Sequence, residues 1–176
     1  MRYVLSALLA LSLASTAFAQ SKDKDGFIAT GAGVRYKKVA FINVKVYDIT
    51  SYAKELPSGK SKESMITLDV DKKLAWKMLR TVDAEKISKA LREAYAKNSY
   101  TDKGKIDQLL AAFSGDLKEG AYVTISYDAA KKRTSVFAPN GQASVDGVDF
   151  MKATWSIWFG NIDQPKLSDE LLQNLK

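Results

Sequence analysis

An arginine, Arg35, follows a glycine-flanked turn at residues 31–33 and opens a segment rich in β-branched and aromatic residues. A guanidinium is planar and always charged, so it can hold a carboxylate or an oxyanion through two parallel hydrogen bonds. An arginine at the end of a strand can equally be a solvated surface charge. The residue type therefore leaves two alternatives, a surface cation or a fixed cation for an anionic group bound inside the fold.

The composition excludes several kinds of catalytic and metal-binding site. The sequence has no histidine and no cysteine, which excludes a histidine-based triad, a thiol nucleophile and the usual zinc sites. It has no Walker-type phosphate loop, and the run GAGVR lacks the spacing of a dinucleotide-binding fingerprint. Its glycines instead indicate a bulge or a close backbone approach at a strand end. No cofactor and no metal are expected.

The N-terminal segment has the pattern of an export signal. Arg2 precedes an apolar run, and a small-x-small cleavage signature, Ala-Phe-Ala, ends at Ala19. The run is too short to span a bilayer, which takes about 20 apolar residues. We therefore predict a signal peptide at residues 1–19 and a single periplasmic domain at residues 20–176, with no membrane span of its own.

The charge pattern bears on partners. The formal net charge is +7, but the lysines are scattered among acidic residues, which is typical of a solvated surface rather than of a nucleic-acid interface. An exported protein also meets little nucleic acid. Nucleic acid is therefore not expected as a partner, and without disulfides the fold must be held by packing alone.

Periodicity predicts the elements that position Arg35. The first half should contain strands at residues 26–38 and 41–53, a loop at residues 56–64, and strands on both sides of Asp71. Two helices should follow, one capped by Asp83 and one starting near Thr101. The second half should contain strands at residues 121–130 and 133–145 with a hairpin at Asn140-Gly141, a buried helix within residues 146–160, and a last helix capped by Ser168. This order indicates an α+β domain with a largely antiparallel sheet.

Five features together resemble the chalcone isomerase-like family: the GAGVR opening, the spacing from Arg35 to the aromatic strand VKVYDITSY, the paired central helices, the hairpin around PNG, and the tail DFMKATWSIWFGNIDQPKLSDELLQNLK. The resemblance covers nearly all of residues 20–176. It implies an open-faced β-sandwich, in which helices pack on a large antiparallel sheet with a ligand cleft between them.

The resemblance also implies what a catalytic member would need. In the plant enzymes that cyclise chalcones, the arginine of this motif polarises the substrate carbonyl, with help from a strand threonine, a tyrosine and an asparagine seven residues apart, and a later hydroxyl residue. Here the arginine is Arg35, and the threonine position falls on Tyr47. The nearest tyrosine and asparagine, Tyr95 and Asn98, are only three apart, and the late hydroxyl position falls near Ile157, with Ser156 one place away. The catalytic set is therefore incomplete, and losing even one donor to an oxyanion costs about 2.7–4 kcal/mol of barrier.

The fatty-acid-binding branch of the family pairs this arginine with a tyrosine on the neighbouring strand, which Arg35 and Tyr47 reproduce. A guanidinium and a phenol suit a carboxylate. Phe41 lies at an even offset from Tyr47, so we expect it on the same face, packed in the core or lining the same cleft.

The sequence thus favours a non-catalytic periplasmic binding protein for a fatty acid or similar amphipathic carboxylate, with Arg35 and Tyr47 as ligand-binding residues. The alternative is an isomerase or lyase acting on an enone-like compound, with Arg35 as electrophile and Tyr47 as acid or base. A third possibility is an interaction protein with a vestigial cleft.

Overall fold

A computed structural model describes residues 22–175, so the predicted signal peptide lies outside the described residues. Six strands form one sheet in chain order: β1 Ile28–Val39, β2 Ile42–Ala53, β3 Lys72–Met78, β4 Tyr122–Asp128, β5 Arg133–Ala138 and β6 Gly141–Asp146. All neighbouring strands pair antiparallel. Five helices complete the described part: α1 Lys62–Thr67, α2 Ala84–Lys97, α3 Lys103–Leu110, α4 Val148–Phe159 and α5 Pro165–Glu170. The predicted α+β class and antiparallel sheet are confirmed.

The helices pack on one face of the sheet. Burial alternates from residue to residue along β3 and β4, as it does when one face of a sheet is covered and the other faces solvent. Helix α4 lies in the core, and its aromatic residues Phe150, Trp155 and Trp158 are each at most 1% exposed. The sheet is therefore open on one face, as the open-faced sandwich requires.

The segment before β3 differs from the prediction of a strand. Residues 62–67, which include the end of the expected loop, form helix α1. The Ser61 side chain caps this helix by accepting a hydrogen bond from the Ser64 backbone N–H at 2.9 Å, and Met65 anchors it in the core. A short apolar run fits a strand or a buried helix equally well, and the capping serine decides between them.

The last helix begins earlier than predicted. Helix α5 starts at Pro165, with Gln164 in the N-cap position, because proline is preorganised for the first helical position. Ser168 is therefore not a cap. It lies inside the helix, fully buried, and its hydroxyl donates to the backbone carbonyl of Trp158 at 2.6 Å.

Helix α5 crosses strand β1 at the glycines of GAGVR. A Cβ atom at Gly31 would overlap the backbone of Glu170 and Leu171, and one at Gly33 would lie 2.7 Å from the Leu167 side chain. The register of the β1–β2 ladder also shifts next to Gly31. A bulge and a close backbone approach are both present, but they lie within β1 rather than at the strand end where they were predicted.

A lysine is buried where α1 meets the sheet. Lys72 is 0% exposed, and its ammonium donates to the carbonyls of Met65 at 2.8 Å and Ile66 at 3.3 Å. It also lies 4.7 Å from the centre of the Trp155 ring. Burial lowers the pKa of Lys72 from 10.5 to about 7, although the charge of Asp69 opposes this shift.

The buried lysine predicts how stability changes with pH. Between about pH 7 and pH 10.5 the unfolded chain keeps a proton that folded Lys72 has released. The free energy of unfolding should therefore rise with pH in this window, by at most about 1.4 kcal/mol per pH unit. Urea unfolding between pH 6.5 and 9.5 measures this rise, which Lys72→Met should remove.

A lysine exposed on helix α2 provides the control, since Lys89→Met should leave the pH dependence of the wild type intact. Parallel pH profiles for the wild type and Lys72→Met would mean that Lys72 stays charged in the folded protein, and would contradict a lowered pKa for this lysine.

Candidate functional site

Arg35 and Tyr47 are direct partners across the β1–β2 ladder. Side chains of directly opposed residues lie on the same face of a sheet and close to each other. The ladder shifts register between Arg35 and Tyr36, so the pair lies at a β-bulge. Bulges re-aim side chains and are common next to functional sites. The structure thus brings together the two residues that the sequence selected.

Gln164 satisfies the backbone at this bulge. Its side-chain oxygen accepts from the Tyr36 backbone N–H at 2.8 Å and from Arg35 Nη1 at 3.2 Å, and its Nε2 donates to the Val34 carbonyl at 2.8 Å. One amide side chain thereby fixes the strand on both sides of Arg35. Gln164 was not predicted from the sequence, because its partners on strand β1 lie about 130 positions away in the chain.

The Arg35 guanidinium already holds a carboxylate. Its Nη2 lies 2.6 Å from Oδ1 of Asp163, in the segment between α4 and α5. The Arg35 side chain is 21% exposed, whereas that of Asp163 is 61% exposed. The cation is therefore fixed and mostly enclosed, while its anionic partner reaches it from the solvent side.

Tyr47 connects Arg35 to the aromatic core. Its ring stacks on Trp76 with 4.7 Å between ring centres, and its oxygen accepts a hydrogen bond from Trp158 Nε1 at 3.1 Å. Burial raises the pKa of Tyr47 above its usual value of 10, although the nearby Arg35 charge opposes the rise. The phenol is therefore protonated at neutral pH and can donate a hydrogen bond to an anion.

A groove opens at Arg35, with a volume of about 390 Å³. Its lining is mostly polar and charged and comes from the β1–β2 hairpin and from the region of α5: Arg35, Tyr36, Lys38, Asn43, Asp163, Gln164, Lys166 and Glu170. Cations and carboxylates are both present, so the groove suits the charged end of a ligand rather than an apolar chain.

The apolar surroundings begin behind Tyr47. Trp76 lies between Tyr47 and Phe113, 6.3 Å from the Phe113 ring centre, and 5.4 Å from the Trp158 ring centre. The indole N–H of Trp76 is buried and has no hydrogen-bond partner among the described residues. Aromatic rings thus occupy the space between the sheet and α4 in this conformation.

The remaining residues near the positions of the enzymes' polar groups form hydrogen bonds within the protein. The Tyr95 hydroxyl is buried and lies 2.9 Å from that of Thr154. The Asn98 side chain is bonded to the backbone of Ala94 and of Asn161, and the Ser156 hydroxyl donates to a carbonyl of its own helix. The Tyr95 bond joins α2 to α4, the Asn98 side chain joins the end of α2 to the segment after α4, and the Ser156 bond stays within α4.

Phe41 does not share the surroundings of Tyr47. It is 97% exposed, because strand β2 begins only at Ile42 and Phe41 lies in the tight turn before it. The expectation that it packs in the core or lines the cleft is wrong, since strand alternation does not extend into a turn.

Two further properties concern the part of the chain that the structure describes. Within residues 22–175, acidic side chains do not gather into a group of three that could hold a metal ion. No helix in the same range combines the length and the apolar character that crossing a bilayer takes.

Comparisons with known proteins agree with this architecture. The sequence model of a family described as chalcone isomerase-like matches residues 16–173. Among solved structures, the crystal structure of a fatty-acid binding protein from Arabidopsis thaliana superposes with a TM-score of 0.68, at 14% identity, over 87% of this chain and 90% of that chain. At this identity the likeness concerns the fold. A search of curated protein sequences gave no match.

The Gln164 amide predicts a local loss of stability. Gln164→Met keeps the length of the side chain but leaves the Val34 carbonyl and the Tyr36 N–H without this partner. An unsatisfied, partly buried polar group costs about 1–3 kcal/mol, which denaturant unfolding would measure.

Gln173 is the matched control. It is exposed, and its side chain donates one long hydrogen bond, 3.4 Å, to the Ala32 carbonyl, which also lies on strand β1. Gln173→Met should change stability by less than about 0.5 kcal/mol. Equal effects of the two substitutions would contradict the role of Gln164 in fixing the bulge.

Proposed function

The chain belongs to the chalcone isomerase-like family, and on that premise we propose that it is a non-catalytic binding protein for a fatty acid or a similar amphipathic carboxylate. The observation that carries this proposal is the fixed Arg35 guanidinium, which is held beside Tyr47 and paired with an exposed carboxylate.

Asp163 stands where the carboxylate of a ligand would bind. Its carboxylate is within 2.6 Å of the guanidinium, so the geometry accepts a carboxylate without rearrangement of Arg35. Because Asp163 is mostly exposed, its ion pair with Arg35 is expected to contribute only about 0–1 kcal/mol. An incoming carboxylate with an attached apolar chain can therefore displace Asp163 at little cost, because burial of the chain supplies the remaining affinity.

Tyr47 supplies the second contact. Since Trp158 donates to its oxygen, the phenol proton is free to turn toward an anion bound at Arg35. A guanidinium and a neutral hydroxyl together distinguish a carboxylate from an ester or an alcohol.

The acyl chain would enter the aromatic region behind Tyr47. This entry needs the rings of Trp76 and Trp158 to move apart, because they are in contact with each other in this conformation. The fatty-acid binding protein from Arabidopsis thaliana, which shares the fold, supports the same class of ligand by analogy.

The alternative, an isomerase acting on an enone-like compound, would use the same Arg35 and Tyr47. The contacts of Tyr95, Asn98 and Ser156 support the binding role instead, because each of these polar groups is already hydrogen-bonded to the protein itself. We also propose export to the periplasm through residues 1–19, which cell fractionation and N-terminal sequencing of the secreted form would test.

Ligand charge gives the first test. Calorimetry should show that a long-chain fatty acid binds more tightly than its methyl ester, and that Arg35→Met weakens binding of the acid at least about tenfold, or 1.4 kcal/mol. Tyr47→Phe should cost about 0.5–1.5 kcal/mol. Ligand-free stability of Arg35→Met should change by less than about 1 kcal/mol.

Arg92→Met is the matched control, since Arg92 forms an exposed ion pair with Asp107 on the helices. Equal affinities for acid and ester would show that Arg35 does not bind the ligand. Cyclisation of a chalcone above its spontaneous rate, abolished by Arg35→Met, would favour the isomerase.

The competing carboxylate gives a second, opposite test. Asp163→Asn removes the anion that a ligand must displace, so the affinity for the fatty acid should rise, by up to about fivefold, while binding of the methyl ester stays unchanged. The same titrations measure both values.

Asp169→Asn is the control for this substitution, because Asp169 is similarly exposed, at 67%, and pairs with Lys62 instead of Arg35. An unchanged or reduced affinity of Asp163→Asn would show that Asp163 is not displaced on binding.

A further inference from the structure

The tip of the β1–β2 hairpin exposes large apolar side chains. Val39 is 55% exposed, Phe41 97% and Ile42 69%. Val39 and Ile42 form the last pair of the ladder, and Ala40 takes a left-handed conformation, with φ of 54°, that residues other than glycine adopt rarely. We call residues 39–42 the hairpin tip. Burying these side chains away from water would be favourable, and residues 22–175 place nothing over Phe41.

Lysines surround the tip on both strands. Lys37, Lys38 and Lys45 are exposed, and none of them forms an ion pair with a carboxylate of the described residues. Residues 36–47 contain no aspartate or glutamate. The hairpin end therefore presents exposed apolar side chains flanked by three lysines that form no ion pair within the described residues.

We propose that the hairpin tip docks on an anionic lipid surface, with Phe41 and Ile42 inserted among the acyl chains and Lys37, Lys38 and Lys45 at the headgroups. The charge pattern favours an anionic membrane as the partner of the hairpin tip. Each lysine near an anionic membrane contributes about 1 kcal/mol, and lysine stems allow the charge to stay in the headgroup layer while apolar neighbours go deeper.

A second copy of the chain fits the tip poorly. A symmetric contact places the same patch of both copies face to face, so it would bring together the lysines of two hairpins without an acidic residue of either to neutralise them. A tip of four residues also offers much less than the roughly 800 Å² per partner that a stable complex buries.

Docking would set the Arg35 groove close to the bilayer. Lys38 and Asn43, which flank the tip, also line that groove. This inference depends on the hairpin alone and extends beyond the ligand proposed above, so the two can fail separately.

Vesicle flotation tests the proposal with the protein in the form that its host produces. Every variant then carries the same N-terminal sequence, so any effect of that sequence on vesicle binding is the same in all variants. We expect binding to vesicles of phosphatidylcholine mixed equally with phosphatidylglycerol, weaker binding to phosphatidylcholine alone, and loss of the difference at high salt. Phe41→Ser should weaken binding at least about fivefold, and Lys37→Glu should reduce the preference for the anionic vesicles by about as much.

Two substitutions on other surfaces serve as controls, Phe137→Ser in strand β5, where Phe137 is 51% exposed, and Lys89→Glu on helix α2. Each should change vesicle binding by less than about twofold, since neither adjoins the tip. Absence of binding to anionic vesicles, or equal losses for Phe41→Ser and Phe137→Ser, would overturn the proposal. Sedimentation of the wild type as a dimer that Phe41→Ser dissociates would overturn it too, because the tip would then cover a second copy.

Discussion

The amide of Gln164 holds strand β1 to the start of helix α5, and the placement of Arg35 depends on it. Its hydrogen bonds to Val34, Arg35 and Tyr36 satisfy the backbone on both sides of a bulge, where the ladder itself leaves groups unpaired. The close approach of α5 to Gly31 brings Gln164 within reach. A flexible surface arginine becomes in this way a cation of fixed position beside Tyr47.

The ion pair between Arg35 and Asp163 follows from that placement. The Arg35 guanidinium is mostly enclosed, so an anion beside it offsets part of its desolvation. Asp163 provides this anion from an exposed position, so the pair contributes little to stability and leaves the groove open. The same hairpin that carries Arg35 ends in Phe41 and its lysines, which links the charged groove and the exposed tip through one pair of strands.

Local patterns in the sequence were enough for the class of fold and for most strands of the sheet, since alternation and turn residues act over short distances. The pairing of Arg35 with Tyr47 came instead from the resemblance to the fatty-acid-binding branch of the family. Helix α1 was missed because its six residues are compatible with either a strand or a helix, and only the cap at Ser61 favours the helix. Gln164 could not be found in this way. Its partners are about 130 positions away in the chain, and only the packing of α5 on β1 brings them together. Phe41 was misplaced for the opposite reason, because strand periodicity was extended into a turn.

A crystal structure of the protein grown with a long-chain fatty acid would test the central claim, that Arg35 is a carboxylate site which Asp163 occupies until a ligand arrives. The claim predicts the acid's carboxylate within hydrogen-bonding distance of both Arg35 and Tyr47, with Asp163 turned away into solvent and the acyl chain between the rings of Trp76 and Trp158. A fatty acid bound elsewhere, with the ion pair between Arg35 and Asp163 intact, would contradict it.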